Sequence, residues 1–141
     1  MGFGLGTQAL ADECLKRQDE DPNFQDKLKG LTARLLFVST DCPGNEDRQL
    51  ALDIENGRFN EIVVSIKPAP SDLRNAQFDH TKYSFRVVAP QQTLIDMING
   101  KADVLDVMGK ITLDGDLGIF MAQVQGFIGF IEYLGTMGIE P

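Results

Sequence analysis

The apolar segment near the C-terminus limits the folds open to this chain more than any other feature. Residues 117–139 include 14 apolar residues and five glycines. At the helical repeat of about 100° per residue, the large apolar side chains form two stripes on nearly opposite sides of one helix. The first stripe, which we expect to pack on a sheet, holds Leu117, Phe120, Met121, Val124, Ile128 and Ile131, and the second holds Ile119, Phe130, Tyr133 and Met137.

A helix that covers one sheet face needs only one of these stripes. The second stripe therefore predicts contact with other helices, a partner subunit, a membrane or an apolar ligand. Gly126 and Gly129 lie inside the helix, where each costs about 1 kcal/mol relative to alanine. They predict a kink, a break into two helices, or the close approach of another group. The segment is also long enough to span a bilayer, but Glu132 and the absence of positively charged flanks disfavour a span.

A β-hairpin is the clearest local pattern in the chain. Residues 49–55 (QLALDIE) and residues 58–67 (RFNEIVVSIK) both alternate apolar and polar side chains. Asn56 and Gly57 separate the two segments, and this pair is favoured in the two-residue type I′ turn. The sequence therefore predicts a strand, a tight turn and a second strand over residues 49–67.

Shorter patterns predict the remaining elements. Strands in the middle of the chain with helices outside them indicate an α+β fold, in which helices cover a largely antiparallel sheet. We predict a helix from Thr7 to about Arg17, a helix in FQDKLKG ending at Gly30, a strand in LTARLLFVST, an exposed loop in PAPSDLRNAQFDH, a strand in KYSFRVVA, a helix from Pro90 to Gly100, a short turn in KADVLDVMG and a strand in KITLDG.

Length and charge narrow the range of functions. A chain of 141 residues fits one domain, covering residues 1–141. The net charge of −8 argues against nucleic-acid binding and against stable docking on anionic membranes. The N-terminus lacks the pattern of a signal peptide, so we expect a cytoplasmic protein in which Cys14 and Cys42 stay reduced.

Residues for catalysis or metal binding do not cluster in the sequence. His80 is the only histidine and falls in a predicted loop, which disfavours a histidine-rich metal site and a histidine-activated nucleophile. The segment LDGDLG lacks the ligand spacing of an EF-hand, and we expect its Asp116 to cap the last helix. We therefore predict a protein that is not an enzyme and needs neither a metal nor a cofactor.

Residues 85–124, FRVVAPQQTLIDMINGKADVLDVMGKITLDGDLGIFMAQV, carry a more specific pattern. An apolar strand leads into a short helix ending in INGK, Gly109-Lys110 introduces a strand, and Gly115-Asp116 precedes the lipophilic helix. This order resembles the C-terminal half of the sterol carrier protein type 2 domain family. The resemblance covers about residues 23–134 and is strongest after Tyr83. A helical extension over residues 1–22 and a long loop over residues 68–80 depart from the family pattern.

The resemblance implies a five-stranded, mostly antiparallel sheet whose helices, on one face, enclose an apolar tunnel. It also implies non-catalytic binding and carriage of fatty acids, acyl-CoA or similar lipids, with at most transient membrane contact. Candidates for contact with a lipid head group are Lys82, Arg86, Lys101 and Lys110. By position, the tunnel wall would be formed by Tyr83, Phe85, Met97, Ile98, Met108, Phe120, Met121, Val124, Phe127 and Ile128.

Two hypotheses for the function follow from these patterns. The first is a lipid carrier that holds an alkyl chain in the tunnel. The second is an interaction module in which the lipophilic helix over residues 117–139 forms a homodimer or docks on a partner. Lipid that purifies with the protein favours the first hypothesis, and a lipid-free dimer favours the second.

Overall fold

The structure is a computed structural model of the chain, and it describes residues 2–141 except for the side chains of residues 104, 105 and 108. The strands are β1 (Phe3–Gly4), β2 (Ala33–Cys42), β3 (Glu46–Glu55), β4 (Arg58–Pro68), β5 (Phe85–Pro90), β6 (Thr112–Gly115) and β7 (Ile139–Glu140). The helices are α1 (Gln8–Glu20), α2 (Pro22–Lys27), α3 (Gln91–Ile98), α4 (Val104–Val107) and α5 (Leu117–Gly135), with 3₁₀ turns at Asp72–Arg74 and Met108–Lys110.

In the described chain, five of the strands form one sheet in the order β4–β3–β2–β5–β6. The central pair β2 and β5 is parallel, and the other neighbours are antiparallel. The predicted α+β fold with a mostly antiparallel five-stranded sheet is confirmed. A separate parallel pair, β1 with β7, joins the two ends of the chain. Sequence analysis did not predict this pair, because strands of two residues leave no alternating pattern.

The predicted hairpin is confirmed as β3 and β4. Asn56 and Gly57 adopt φ angles of 49° and 80°, and the type I′ turn requires positive φ at both positions. The turn therefore matches the right-handed twist of the two strands. Leu50, Leu52 and Ile54 alternate along β3 and are all buried, so the alternation predicted correctly which side of the strand faces the core.

Helices cover one face of the sheet, as predicted. Inward-facing side chains of β2 to β5 form one core with residues of α1, α2, α3 and α5. Phe37 and Phe85 on the sheet contact Phe127 on α5, at ring-centroid distances of 6.2 and 6.4 Å. Phe85 also meets Phe120 edge-on at 5.1 Å. The centre of the interface between sheet and α5 is thus filled by aromatic rings.

The last helix is continuous, so the predicted break near Gly126–Gly129 is wrong. α5 runs for 19 residues, and Asp116 caps it as predicted by accepting a hydrogen bond from the Ile119 N–H at 3.1 Å. The two glycines instead allow close approach. A Cβ atom at Gly126 would lie 2.7 Å from the Leu31 Cβ, and one at Gly129 would overlap the carbonyl oxygen of Lys27.

The second face of the sheet is partly covered by the segment that precedes β5. We predicted an exposed loop there, but the segment contains the 3₁₀ turn Asp72–Arg74. Leu73 in this turn packs with Val38 of β2 and Val88 of β5 in a small cluster of buried residues. The prediction failed because one leucine in a polar stretch gives no periodic signal.

A buried carboxylate holds this segment on the sheet. Asp47 of β3 has no exposed side-chain surface and accepts hydrogen bonds from Arg74 at 2.8 and 2.9 Å. It also accepts from Ser71 and from the backbone N–H of Asp41. Burial by itself raises the pKa of Asp47, but the hydrogen bonds from Arg74, Ser71 and Asp41 outweigh it and hold the pKa well below its usual value.

Candidate functional site

An open cleft lies between α3, the turn after α3, and the C-terminal half of α5. Its volume is about 500 Å³. Most of the lining is apolar, and two carboxylates stand at its rim. The lining residues are Met97, Ile98, Gly100, Ala102, Asp103, Ile128, Ile131 and Glu132.

Local backbone features place these walls. Gly100 ends α3 with a φ of 76°, a left-handed conformation that glycine adopts without strain. The chain therefore turns sharply, and Ala102 reaches the cleft on the far side of the turn. At the closed end, α5 passes so near α3 that a Cβ atom on Gly135 would lie 2.5 Å from the Ile98 carbonyl oxygen. The absence of a side chain at Gly135 therefore lets the two helices lie close together at this end of the cleft.

The chemistry of the cleft suits an alkyl chain. Its walls offer methyl and methylene groups, and its rim offers charge from Glu132, which lies 3.8 Å from Lys27 in an exposed ion pair. Lys101 is exposed between two lining residues, so it stands at the same rim. Within the described residues, no group of three or more His, Cys, Asp or Glu side chains could hold a metal ion.

Three of the ten predicted wall residues line this cleft, namely Met97, Ile98 and Ile128. Phe85, Phe120 and Phe127 are buried in the aromatic core beside it. The tunnel that the resemblance implies is not shown by this structure.

The other predicted wall residues lie elsewhere. Met121 is 53% exposed on α5, and Val124 is half-buried one turn further along. Tyr83 lines a groove on the sheet with Arg34, Ala51 and Val63, away from the cleft. The side chain of Met108 lies outside the described residues.

The head-group candidates also separate in the structure. Arg86 is buried and engaged, because its guanidinium donates to Asp114 at 2.9 Å and to the Ala76 carbonyl oxygen at 2.8 Å. Lys82 lines the groove on the other side of the sheet. Lys101 is the candidate that lies beside the cleft, whereas Lys110 is an exposed residue in the turn before β6.

Sequence reasoning missed several lining residues. Ile131 belonged to the first apolar stripe of α5 but was not assigned to the site. Gly100 ends the predicted helix from Pro90, Ala102 and Asp103 fall in the predicted short turn, and Glu132 serves in the sequence analysis only to disfavour a membrane span. The INGK segment was the available signal, because Asn-Gly marks the end of a helix and a sharp turn of the chain.

Three of the four residues in the second apolar stripe of α5 are buried by other parts of the same chain, whereas Ile119 is 41% exposed. Tyr133 contacts Phe24 of α2 at a centroid distance of 4.6 Å, and its hydroxyl donates to Asp21 at 2.6 Å. Phe130 meets Phe59 of β4 at 5.6 Å. Burial and the hydrogen bond to Asp21 raise the pKa of Tyr133. The homodimer hypothesis that relied on this stripe is therefore not supported.

By length and composition alone, α5 could cross a membrane. The described chain contains one such helix, and 44% of its apolar window is buried inside the protein. The inward side of the helix forms the aromatic core.

The two thiols are free and buried. Burial raises the pKa of Cys14 to about 12, and it also raises the pKa of Cys42. Because the thiolate is the reactive form, we expect Cys14 in the native protein to react with Ellman's reagent at neutral pH about 1000-fold more slowly than in the urea-unfolded chain. Rapid modification of native Cys14, located by mass spectrometry of peptides, would contradict this prediction.

Comparisons with known proteins agree with this architecture. The model of the SCP-2 sterol transfer family matches residues 12–127, whereas no curated protein matches the chain significantly. A crystal structure of sterol carrier protein 2 has a TM-score of 0.72 at 14% identity and covers 95% of this chain and 99% of its own. A Thermus thermophilus protein described as possibly a sterol carrier protein has a TM-score of 0.70 at 14% identity, with coverages of 99% and 96%. Sterol carrier protein 2 from Yarrowia lipolytica has a TM-score of 0.53 at 13% identity, with coverages of 92% and 93%.

Proposed function

Because this chain belongs to the SCP-2 sterol transfer family, we propose that it carries a lipid whose alkyl chain lies in the cleft between α3 and α5. The family has a lipid-carrier fold that is generally non-catalytic. The ligand class that fits this chain best is a fatty acid or a fatty-acyl derivative.

The observation that carries the proposal is the apolar cleft itself. It has room for several methylene groups and is bounded by flexible or branched apolar side chains, among them Met97, Ile98 and Ile128. Each methylene that the cleft buries contributes about 0.8 kcal/mol before ordering costs, so an alkyl chain that is only partly buried gains less than the roughly 11 to 13 kcal/mol that full burial of 14 to 16 carbons would give. Binding needs no catalytic group, only a dry wall and a polar mouth.

Of the head-group candidates, Lys101 is the one beside the cleft that can attract a carboxylate head group. Lys101 is exposed between Gly100 and Ala102, both of which line the cleft. An ammonium group at this position attracts the anionic end of a fatty acid while the alkyl chain lies inward. Asp103 and Glu132 also line the cleft, and their negative charges oppose this attraction. We therefore expect burial of the alkyl chain to supply most of the affinity.

Lipid exchange requires a route between the cleft and a membrane. Leu117 is 59% exposed and Met121 is 53% exposed at the start of α5. Their flank of the helix continues through Val124 to Ile128 at the cleft, since residues three and four apart lie on one helix side. We therefore include transient membrane contact through the start of α5 in the proposal.

Filling the cleft with a large side chain should weaken lipid binding without unfolding the protein. Ala102 is half-buried in the wall, so Ala102→Trp places an indole in the space for the alkyl chain. We expect the affinity for a fluorescent fatty acid to fall at least about tenfold, equivalent to 1.4 kcal/mol. Titration with fatty acids of several lengths, together with mass spectrometry of organic extracts, measures this effect.

Ala9→Trp is the matched control, because Ala9 is exposed on α1 and far from the cleft residues in sequence and packing. This variant should bind fatty acid as the wild type does. The proposal fails if the wild type neither purifies with lipid nor binds any of the fatty acids, or if Ala102→Trp binds them as well as Ala9→Trp does.

A further inference from the structure

β4 forms one edge of the sheet. It runs for 11 residues, from Arg58 to Pro68. Val63 is 45% exposed and Ile66 is 47% exposed, although large apolar side chains are usually buried in a protein of this size. A long edge strand with exposed apolar residues is a template for pairing with another strand.

A side chain already pairs with one position of this edge. The Phe59 N–H donates to Gln18 Oε1 at 2.7 Å, and Gln18 Nε2 donates to the Phe59 carbonyl oxygen at 3.0 Å. The buried amide of Gln18 thus makes the two hydrogen bonds that a neighbouring strand would make. This pairing also shows that the backbone N–H and carbonyl groups of Phe59 point away from β3.

The open positions of the edge follow from this orientation. Backbone groups of successive strand residues point alternately to the two sides of the strand. The register of β4 against β3 shifts by one residue between Phe59 and Glu61. Beyond the shift, the outward positions are Ile62, Val64 and Ile66. In the described chain, no group from outside the sheet hydrogen-bonds to their backbones.

We propose that β4 pairs with β4 of a second copy of this chain, antiparallel and around a two-fold axis at Val64. In this register Ile62 lies opposite the partner's Ile66, and Val63 lies opposite the partner's Ser65. The three outward positions gain backbone partners, and the exposed apolar side chains are covered. Two-fold symmetry is the commonest arrangement of homo-oligomers, and here it joins two five-stranded sheets into one.

Complementary charges favour this register, and they favour a second copy of the same chain as the partner. Glu61 lies opposite the partner's Lys67, and the two-fold axis repeats this pair on the other side. The nearest alternative registers that keep outward positions paired move the axis by one residue, to Val63 or Ser65. Both remove the two pairs, because Glu61 then lies opposite the partner's Ser65 or beyond the partner's strand. Lys67 donates to Asp72 at 2.8 Å in an exposed ion pair, so in the dimer its ammonium lies between two carboxylates.

Reversing the charges tests the proposal on the full chain. We expect sedimentation equilibrium of the wild type to show a reversible dimer. Glu61→Lys and Lys67→Glu should each weaken the dimer about tenfold, because each change places like charges directly opposite one another. The double variant restores opposite charges and should restore the wild-type affinity. Both residues are exposed, and circular dichroism checks that each variant folds.

Hydrogen exchange distinguishes this interface from one on another surface. The backbone amides of Ile62, Val64 and Ile66 should exchange more slowly as the protein concentration rises. A chain that stays monomeric up to millimolar concentration overturns the proposal. A dimer that resists both single reversals, or a double variant that stays dissociated, overturns it as well. The proposal is independent of lipid binding.

Discussion

Replacing Gly129 with alanine is expected to destabilise the protein by about 3 kcal/mol, at the upper end of the usual cost of overpacking. The added Cβ atom would overlap the carbonyl oxygen of Lys27. Because that oxygen belongs to the backbone at the end of α2, no side-chain rotation relieves the clash. α2 must move away from α5, and the contact between Phe24 and Tyr133 weakens with it. Chemical denaturation and a fall of roughly 10 °C in the melting temperature would measure this effect.

Gly118→Ala in the same helix is the matched control. A Cβ atom at Gly118 meets only the Asp116 Oδ1 atom, at 3.1 Å, and Gly118 is exposed. Because that oxygen also accepts the capping hydrogen bond from the Ile119 N–H, a small loss there opposes the helix propensity of alanine, and the stability should change by no more than about 1 kcal/mol. If Gly129→Ala were as stable as Gly118→Ala, the close packing of α2 on α5 would be wrong.

Replacing Asp47 with asparagine is the second change with a large expected effect. The carboxylate accepts charged hydrogen bonds from Arg74 and further bonds from Ser71 and Asp41. Asparagine keeps the shape but loses the charge, so we expect a loss of about 3 kcal/mol, as for breaking other buried ion pairs. The segment over residues 68–84 should detach from the sheet, which faster hydrogen exchange in that segment would detect.

The effect of Asp47→Asn should depend on pH in a defined direction. The hydrogen bonds hold the folded-state pKa of Asp47 below its ordinary value of 3.8, so ionisation favours the folded state. This stabilisation is complete above about pH 4 and is lost as the pH falls toward the folded-state pKa. The stability difference between the wild type and the variant should therefore shrink below about pH 4.

Asp72→Asn is the control for the charge change. Asp72 forms an exposed ion pair with Lys67 in the same segment, and exposed pairs typically contribute about 0 to 1 kcal/mol. Equal losses for Asp47→Asn and Asp72→Asn at neutral pH would show that the Asp47 network does not hold the segment.

Most secondary structure could be predicted from the sequence because it depends on local chemistry. Asn56-Gly57 has the backbone freedom for a type I′ turn, and the alternation on both sides of it orients β3 and β4. Asp116 offers a side-chain acceptor at the start of the apolar helix, and α5 begins there. These signals depend on a few neighbouring residues, so they can be recognised in the sequence without knowledge of the rest of the fold.

The candidate site could be predicted only in part. The two helices that form it were identified, but three of the ten predicted wall residues line the cleft. The aromatic residues Phe85, Phe120 and Phe127 pack against one another instead. An apolar residue has the same pattern in a sequence whether it faces a cavity or another side chain, so sequence periodicity does not separate a lipid wall from a core.

The sequence by itself determined the order of the longer helices and sheet strands, the hairpin with its type I′ turn, the Asp116 cap, the presence of a helix with two apolar stripes, and the family resemblance. Only the tertiary structure decided that α2 and β4 cover Tyr133 and Phe130 of α5, that Gly129 serves close approach, that Asp47 binds a segment more than twenty residues away, and that Gln18 covers one end of the β4 edge. The division has a physical cause. Local structure follows from the conformational preferences of neighbouring residues, whereas burial, ion pairing and cleft shape depend on residues that are distant in sequence and meet only when the chain is folded.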